Sequence, residues 1–192
     1  VSVGALQALA RDQSWATRID SGLCLLSAFR LLGLPGSMLD VGCGRGHLVE
    51  IARALGVEAV GLDIALEEET DYLLRVDLTR EAPGEFIRFD LVLCLEVAEH
   101  LPPEAADVLC DRLAGSVASS GCLLFSAATP GQGGAGHLNE QPRDYWRERL
   151  TRGGRLVYDP LATARVRSTW LALAPRAWWY GRNAMVFRWT AR

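Results

Sequence analysis

The 192-residue chain contains no lysine; all twenty of its basic residues are arginine. A lysine Schiff base, a pyridoxal-phosphate anchor and a Walker-type phosphate-binding lysine are therefore excluded, since each needs the ε-amine as nucleophile or compact charge. The five cysteines, Cys24, Cys43, Cys94, Cys110 and Cys122, form no C-x-x-C pair and show no short ligand spacing. They read as reduced, mostly buried thiols rather than as a redox or metal centre. No apolar run reaches the roughly 20 residues that span a bilayer. The first residues also lack the charged-then-apolar order of a secretory signal. These absences predict a soluble, cytoplasmic protein with no membrane partner.

The composition that remains, 49% hydrophobic and 22% charged, is that of a globular chain, and the length suits one core. We expect a single domain over residues 1–192. Charge is distributed unevenly: residues 1–142 carry 20 acids against 9 arginines, and residues 143–192 carry 3 acids against 11 arginines. One end of the molecule should attract anions.

Leu23, Leu26, Phe29 and Leu32 recur at helical spacing until Gly33, Pro35 and Gly36 end the pattern. This predicts a helical preamble over residues 1–36, packed on the main fold. Beyond it, short apolar runs (Met38–Val41, Ala59–Leu62, Leu73–Val76, Leu91–Leu95, Cys122–Ala127, Leu156–Tyr158 and Asn183–Trp189) alternate with helical stretches near 46–55, 103–117, 143–152 and 161–173. Such alternation indicates an α/β fold with a largely parallel sheet. A glycine-rich interruption, Thr129–Gly136, directly follows a strand, where an open α/β sheet places its binding crevice.

The segment Leu39–Gly46 closes one strand and opens a helix. Its glycines let backbone approach a ligand, and the helix start offers unpaired N–H groups. The spacing is G-x-G-x-G, not the dinucleotide G-x-G-x-x-G, and Asp40 stands two residues before the first glycine. A carboxylate there suits a cationic ligand and repels a pyrophosphate. Asp63, 21 residues after Gly42, ends the second strand where an acid can accept both hydroxyls of an adenosine ribose. Asp77 follows the third run, placed to meet an exocyclic amine. Loop and acids at successive strand ends describe a nucleoside site without a phosphate cradle.

With these residues in register, the sequence resembles the class I S-adenosylmethionine-dependent methyltransferases over nearly its whole length. Leu39–Gly46 is similar to that family's first motif, Val60–Asp63 to its ribose-binding strand end, and Phe89–Leu101 to its fourth-strand motif. The resemblance implies a Rossmann-like α/β fold: a seven-stranded, mostly parallel sheet with helices on both faces and the last strand antiparallel. It also implies S-adenosylmethionine as methyl donor. Asp40, Gly42, Cys43 and Gly44 would line its methionine part, Asp63 its ribose, Asp77 with Leu78 its adenine, and Leu95 would close the fourth strand beside it.

Methyl transfer from a sulfonium is an in-line displacement from an already activated donor, so the protein's task is alignment in a dry site. A hydroxyl acceptor gains from a base, and histidine suits neutral pH. His47 reads as a helix-start residue. His100, just past the fourth strand, and His137, in the loop after the fifth, are the catalytic candidates. Glu96, Glu99 and His100 stand at i, i+3 and i+4, so on a helical turn they share a face that His137 could complete as a hard-cation site. This Glu-x-x-Glu-His pattern resembles that of ubiquinone-biosynthetic O-methyltransferases. It is also similar to that of small-RNA 3′-terminal 2′-O-methyltransferases, in which the resemblance implies a divalent metal held by two glutamates and two histidines. Only one further histidine follows here, and the larger RNA-binding extension is missing, which argues against metal dependence.

Residues 129–152, a loop and helix, together with the C-terminal third, are left for the acceptor. Tyr145 and Trp146 either flank it or pack on the sheet, and Arg143, Arg147, Arg149, Arg152 and Arg155 suggest an anionic small molecule. A pI near 5.7 argues against nucleic acid. The reading is O-methylation of a small-molecule or sugar hydroxyl, of the kind found in secondary metabolism. The competing readings are a metal-assisted RNA-end 2′-O-methyltransferase, a dinucleotide-dependent oxidoreductase and a donor-binding protein without activity.

Overall fold

A computed structural model describes residues 15–80 and 87–190. Residues 1–14 of the expected preamble lie outside the described residues, and the remainder forms α1 (Trp15–Leu32). Then follow β1 (Ser37–Val41), α2 (His47–Ala54), β2 (Glu58–Leu62), β3 (Leu73–Leu74), β4 (Phe89–Leu95), α3 (Ala106–Ser116) and β5 (Val117–Ser126). The chain continues through α4 (Arg143–Arg152), β6 (Leu156–Tyr158), α5 (Pro160–Leu173), α6 (Trp178–Asn183) and β7 (Met185–Trp189).

All seven strands form one sheet in the order β3-β2-β1-β4-β5-β7-β6. Strands β1 to β5 pair in parallel, and β7 inserts antiparallel between β5 and β6. This is the Rossmann-like architecture that the motifs implied. The alternation within β4 shows how the strands specify two layers. Leu91 and Leu93 face a core with Cys24, Leu25 and Phe29 of α1, Val49 of α2 and Trp170 of α5. Val92 and Cys94 face the opposite core, with Leu109 and Leu113 of α3 and Trp146 and Leu150 of α4. The chain leaves β1 toward β2 and returns through β4 on the other side of β1. The loops after β1 and β4 thus diverge at one edge of the sheet and leave a crevice there.

Three expectations shift. Leu23 and Leu26 are exposed, at 38% and 44%, and α1 packs instead through Cys24, Leu25, Ala28 and Phe29. Polar anchors set this rotation: buried Asp20 accepts from the Arg176 backbone N at 3.0 Å and its Nε at 3.2 Å. Trp170 Nε1 donates to Cys24 O at 3.0 Å, on the same side of the helix. The third strand stops at Leu74 rather than Val76, because Arg75 N turns to the Glu69 carboxylate at 2.7 Å. Asn183, placed by its apolar neighbours in the last strand, instead ends α6, and β7 begins at Met185. Cys43 is partly buried, the other four cysteines are buried, and all five thiols are free. Among the described residues no helix is long and apolar enough to cross a membrane.

Candidate active site

Strand β1 carries Asp40 to its buried end and the chain then turns at Gly42, with φ 82°. A Cβ at Gly42 would lie 2.3 Å from Val97 Cγ2 in the loop after β4, so the two diverging loops touch only because this residue has no side chain. The loop is laced onto the end of β2. Gly42 N and Cys43 N donate to Leu62 O at 2.7 and 3.1 Å. Asp63 takes Gly44 N on one carboxylate oxygen at 2.8 Å and Ala65 N on the other at 2.7 Å. Each oxygen retains a lone pair for a further donor.

Four carboxyl groups, Asp40, Asp63, Glu96 and Glu99, line this end of the crevice. None of them is in a salt bridge among the described residues. Burial, then the nearby Asp63 carboxylate, pushes the Asp40 carboxyl up to about 7. Asp63 is raised by burial in spite of its two backbone donors. Glu96 and Glu99 are both raised by burial, and Glu99 also by the charge of Glu96 beside it. Glu99 Oε1 accepts Ala128 N at 3.1 Å, whereas its Oε2 is buried without a partner. Asp77 differs: Thr79 N and Oγ1 at 2.9 and 2.6 Å hold its carboxyl below the usual range. Burial raises the Cys43 thiol, with Asp40 and Asp63 adding to the effect, so this cysteine stays protonated.

The Glu-x-x-Glu-His segment does not form one helical face. Glu96 adopts φ 55°, outside the 3-10 turn Ala98–His100. Its carboxylate accepts from Asn183 Nδ2, 3.2 Å from each oxygen, and the same nitrogen reaches Gln132 Oε1 at 3.0 Å. Such a backbone in a non-glycine residue is a mark of functional sites. Ligand atoms of Glu99, His100 and His137 lie within 4.8 Å of one another. The His100 and His137 rings meet edge to face, centroids 5.0 Å apart. Nδ1 of each ring faces an oxygen: that of His100 lies 3.3 Å from Gly136 O, and that of His137 lies 2.7 Å from the Glu140 carboxylate. His47, by contrast, donates from Nε2 to Arg18 O at 2.9 Å and pins α1 to α2.

These groups border one cleft of about 960 Å³, and every residue assigned to the donor or to catalysis reaches it: Asp40, Gly42, Cys43, Gly44, Asp63, Asp77, Leu78 and Leu95, then Glu96, Glu99, His100 and His137. The α1 part of its remaining wall was not foreseen, whereas α6 falls in the C-terminal third left for the acceptor. Thr17, Arg18 and Ser21 of α1 and Trp178, Trp179 and Tyr180 of α6 line it, whereas Tyr145 and Trp146 do not. Trp146 packs in the core against Phe125, and Tyr145 lies under the Arg149 guanidinium. The arginines of the C-terminal third face elsewhere: Arg147, Arg149, Arg152, Arg176 and Arg188 pair with acids of the scaffold. The arginines that line the cleft are Arg18 and Arg45. The Trp-Trp-Tyr run was the one available signal for the α6 wall.

A family model described as a methyltransferase domain matches residues 15–184. The ubiquinone biosynthesis O-methyltransferase of Alkalilimnicola ehrlichii is 36% identical over 127 residues, which cover 59% of this chain and 46% of that protein. The chain thus spans about half the length of the curated relatives it matches. Among solved structures, the 1,6-didemethyltoxoflavin-N1-methyltransferase of Burkholderia thailandensis superposes with a TM-score of 0.60 at 18% identity, over 90% of this chain and 80% of that one. Human N-acetylserotonin methyltransferase does so with 0.60 at 15% identity, over 99% and 57%. At these identities the likeness speaks to the fold.

Proposed function

The chain belongs to the methyltransferase-domain family, and on that premise we propose that it transfers the methyl group of S-adenosylmethionine to a hydroxyl oxygen of a small molecule. One observation carries the donor half: four carboxyl groups gathered at the strand ends, Asp40 and Glu99 buried and Asp63 and Glu96 half-buried, none in a salt bridge among the described residues. An incoming opposite charge would offset the cost of ionising them there. A sulfonium and an α-amino group supply it, whereas a dinucleotide pyrophosphate would add to the repulsion. Asp40, Gly42, Cys43 and Gly44 would line the methionine part, Asp63 the ribose hydroxyls, and Leu78 beside Asp77 the adenine, with Leu95 at the floor.

The acceptor half rests on the histidines beside Glu99. There His137 stands on the Glu140 carboxylate, in a cleft that Trp178 and Trp179 also line. A base at this position favours oxygen as the nucleophile, in keeping with relatives that are named O-methyltransferases. The O–C bond forms as the S–C bond breaks, the sulfonium becomes a neutral thioether, and the hydroxyl proton passes to His137. Glu99, His100 and His137 are near enough to hold a cation. With both Nδ1 atoms engaged, each ring would offer Nε2 to such a cation, and a chelator separates that role from the base role.

The test is incubation with methyl-labelled donor and a panel of phenols, catechols and sugars, with the product located by mass spectrometry and NMR. Methyl on oxygen, undiminished by EDTA, is the expected result. Methyl on nitrogen or carbon would overturn the hydroxyl reading. Loss of transfer in EDTA would reassign Glu99, His100 and His137 to cation binding. Donor binding without transfer to any acceptor would leave a binding protein.

A further inference from the structure

We propose that Glu140 is the positioning residue of the base, fixing the His137 proton on Nδ1 so that the Nε2 lone pair is the one offered to the acceptor hydroxyl. The inference rests on the reading of His137 as that base. Glu140 lies three residues after His137 in the 129–152 segment left for the acceptor, where it was assigned no role of its own. Its Oε1 is 2.7 Å from His137 Nδ1, and the two side chains are only 18% and 13% exposed. The bond to His137 holds the Glu140 carboxyl below its ordinary range. An ionised carboxylate only accepts, so Nδ1 must carry hydrogen in both the neutral and the charged ring.

The carboxylate is itself immobilised. Gly133 N donates to Oε1 at 2.7 Å and Gly131 N to Oε2 at 2.8 Å, so the glycine-rich loop is wrapped around it. Gly134 packs against the Nε2 side of the ring, where a Cβ would collide with it, and the ring borders the cleft there. One imidazole nitrogen is thus clamped, and the other keeps its lone pair. When the hydroxyl proton arrives on Nε2, the imidazolium forms with its charge already paired to Glu140, the arrangement that makes an acid behind a histidine effective. His100 is held through a backbone carbonyl rather than a carboxylate, and burial lowers its affinity for a proton. It is a neutral companion in this scheme.

The chain has three histidines, so ¹⁵N NMR of histidine-labelled protein reads each tautomer directly. In the wild type we expect Nδ1–H for His137 and His100, with His47 as the internal contrast in its Nε2–H form. In Glu140→Ala the His137 population should invert to Nε2–H while His47 and His100 are unchanged. Nε2–H at His137 in the wild type, or no change in Glu140→Ala, overturns the proposal. Failure of the wild type to bind S-adenosylhomocysteine would instead overturn the methyltransferase reading, so the two are separable.

Discussion

Replacing His137 with alanine is expected to lower the turnover number by roughly 10²- to 10⁴-fold, the range over which a positioned general base acts. The affinity for S-adenosylhomocysteine should stay within about twofold, because His137 makes none of the contacts assigned to the nucleoside. The separation follows from the layout. His137 is tied to Glu140, Gly134 and His100 in and beside the loop after β5. The nucleoside wall is built from β1, β2 and the loop after β3. Removing the imidazole leaves Asp63, its two backbone donors and the glycine loop intact. Stopped-flow or discontinuous assays with labelled donor, beside calorimetry with the product, check both halves. A variant that loses donor affinity and turnover together would make His137 structural.

Asp40→Asn should stabilise the unliganded fold above neutral pH and weaken the donor. Burial and Asp63 push the Asp40 carboxyl up to about 7, from an ordinary value of 3.8. The folded value is the higher one, so the fold favours the protonated form. Its advantage is fully present below the unfolded value and is lost as pH rises through about 7. The ionised carboxyl then costs on the order of a few kcal/mol. Asparagine keeps the shape and removes that cost, so thermal unfolding of the wild type should fall relative to Asp40→Asn between about pH 4 and pH 7. The same linkage governs the ligand. A cation favours ionised Asp40, so affinity for S-adenosylmethionine should rise with pH through about 7 in the wild type and stay flatter in the variant. S-adenosylhomocysteine, with its neutral sulfur, should show a smaller slope. Equal slopes for the two ligands would mean that Asp40 does not sense the sulfonium.

The acid-lined end of the cleft was legible because its geometry is local. A strand, a glycine turn and an acid at the next strand tip are set by a few consecutive residues, and Gly42 and Asp63 stand where their spacing placed them, whereas Glu96 leaves the helical face on which its spacing put it with Glu99 and His100. The acceptor end is made by distant contacts. Trp178 reaches the cleft because Asp20 of α1 captures Arg176 just before α6. Asn183 arrives because Glu96 turns to meet it. Neither follows from periodicity. The arginine count misled for a related reason: net charge says nothing about direction, and Arg149 and Arg152 face Asp107 on α3 rather than a ligand. Leu23 and Leu26 carry a helical repeat, yet the side of α1 that packs was chosen by Asp20 and the Trp170 contact.

The claim on which everything else depends is that the acid-lined end of the cleft holds a cationic nucleoside through Asp63. Calorimetric titration of the wild type and Asp63→Ala with S-adenosylmethionine tests it most directly. The account predicts saturable binding at one site in the wild type and none detectable in the variant. Equal affinity in Asp63→Ala, or a wild type that ignores the sulfonium and binds a nicotinamide dinucleotide, would contradict it.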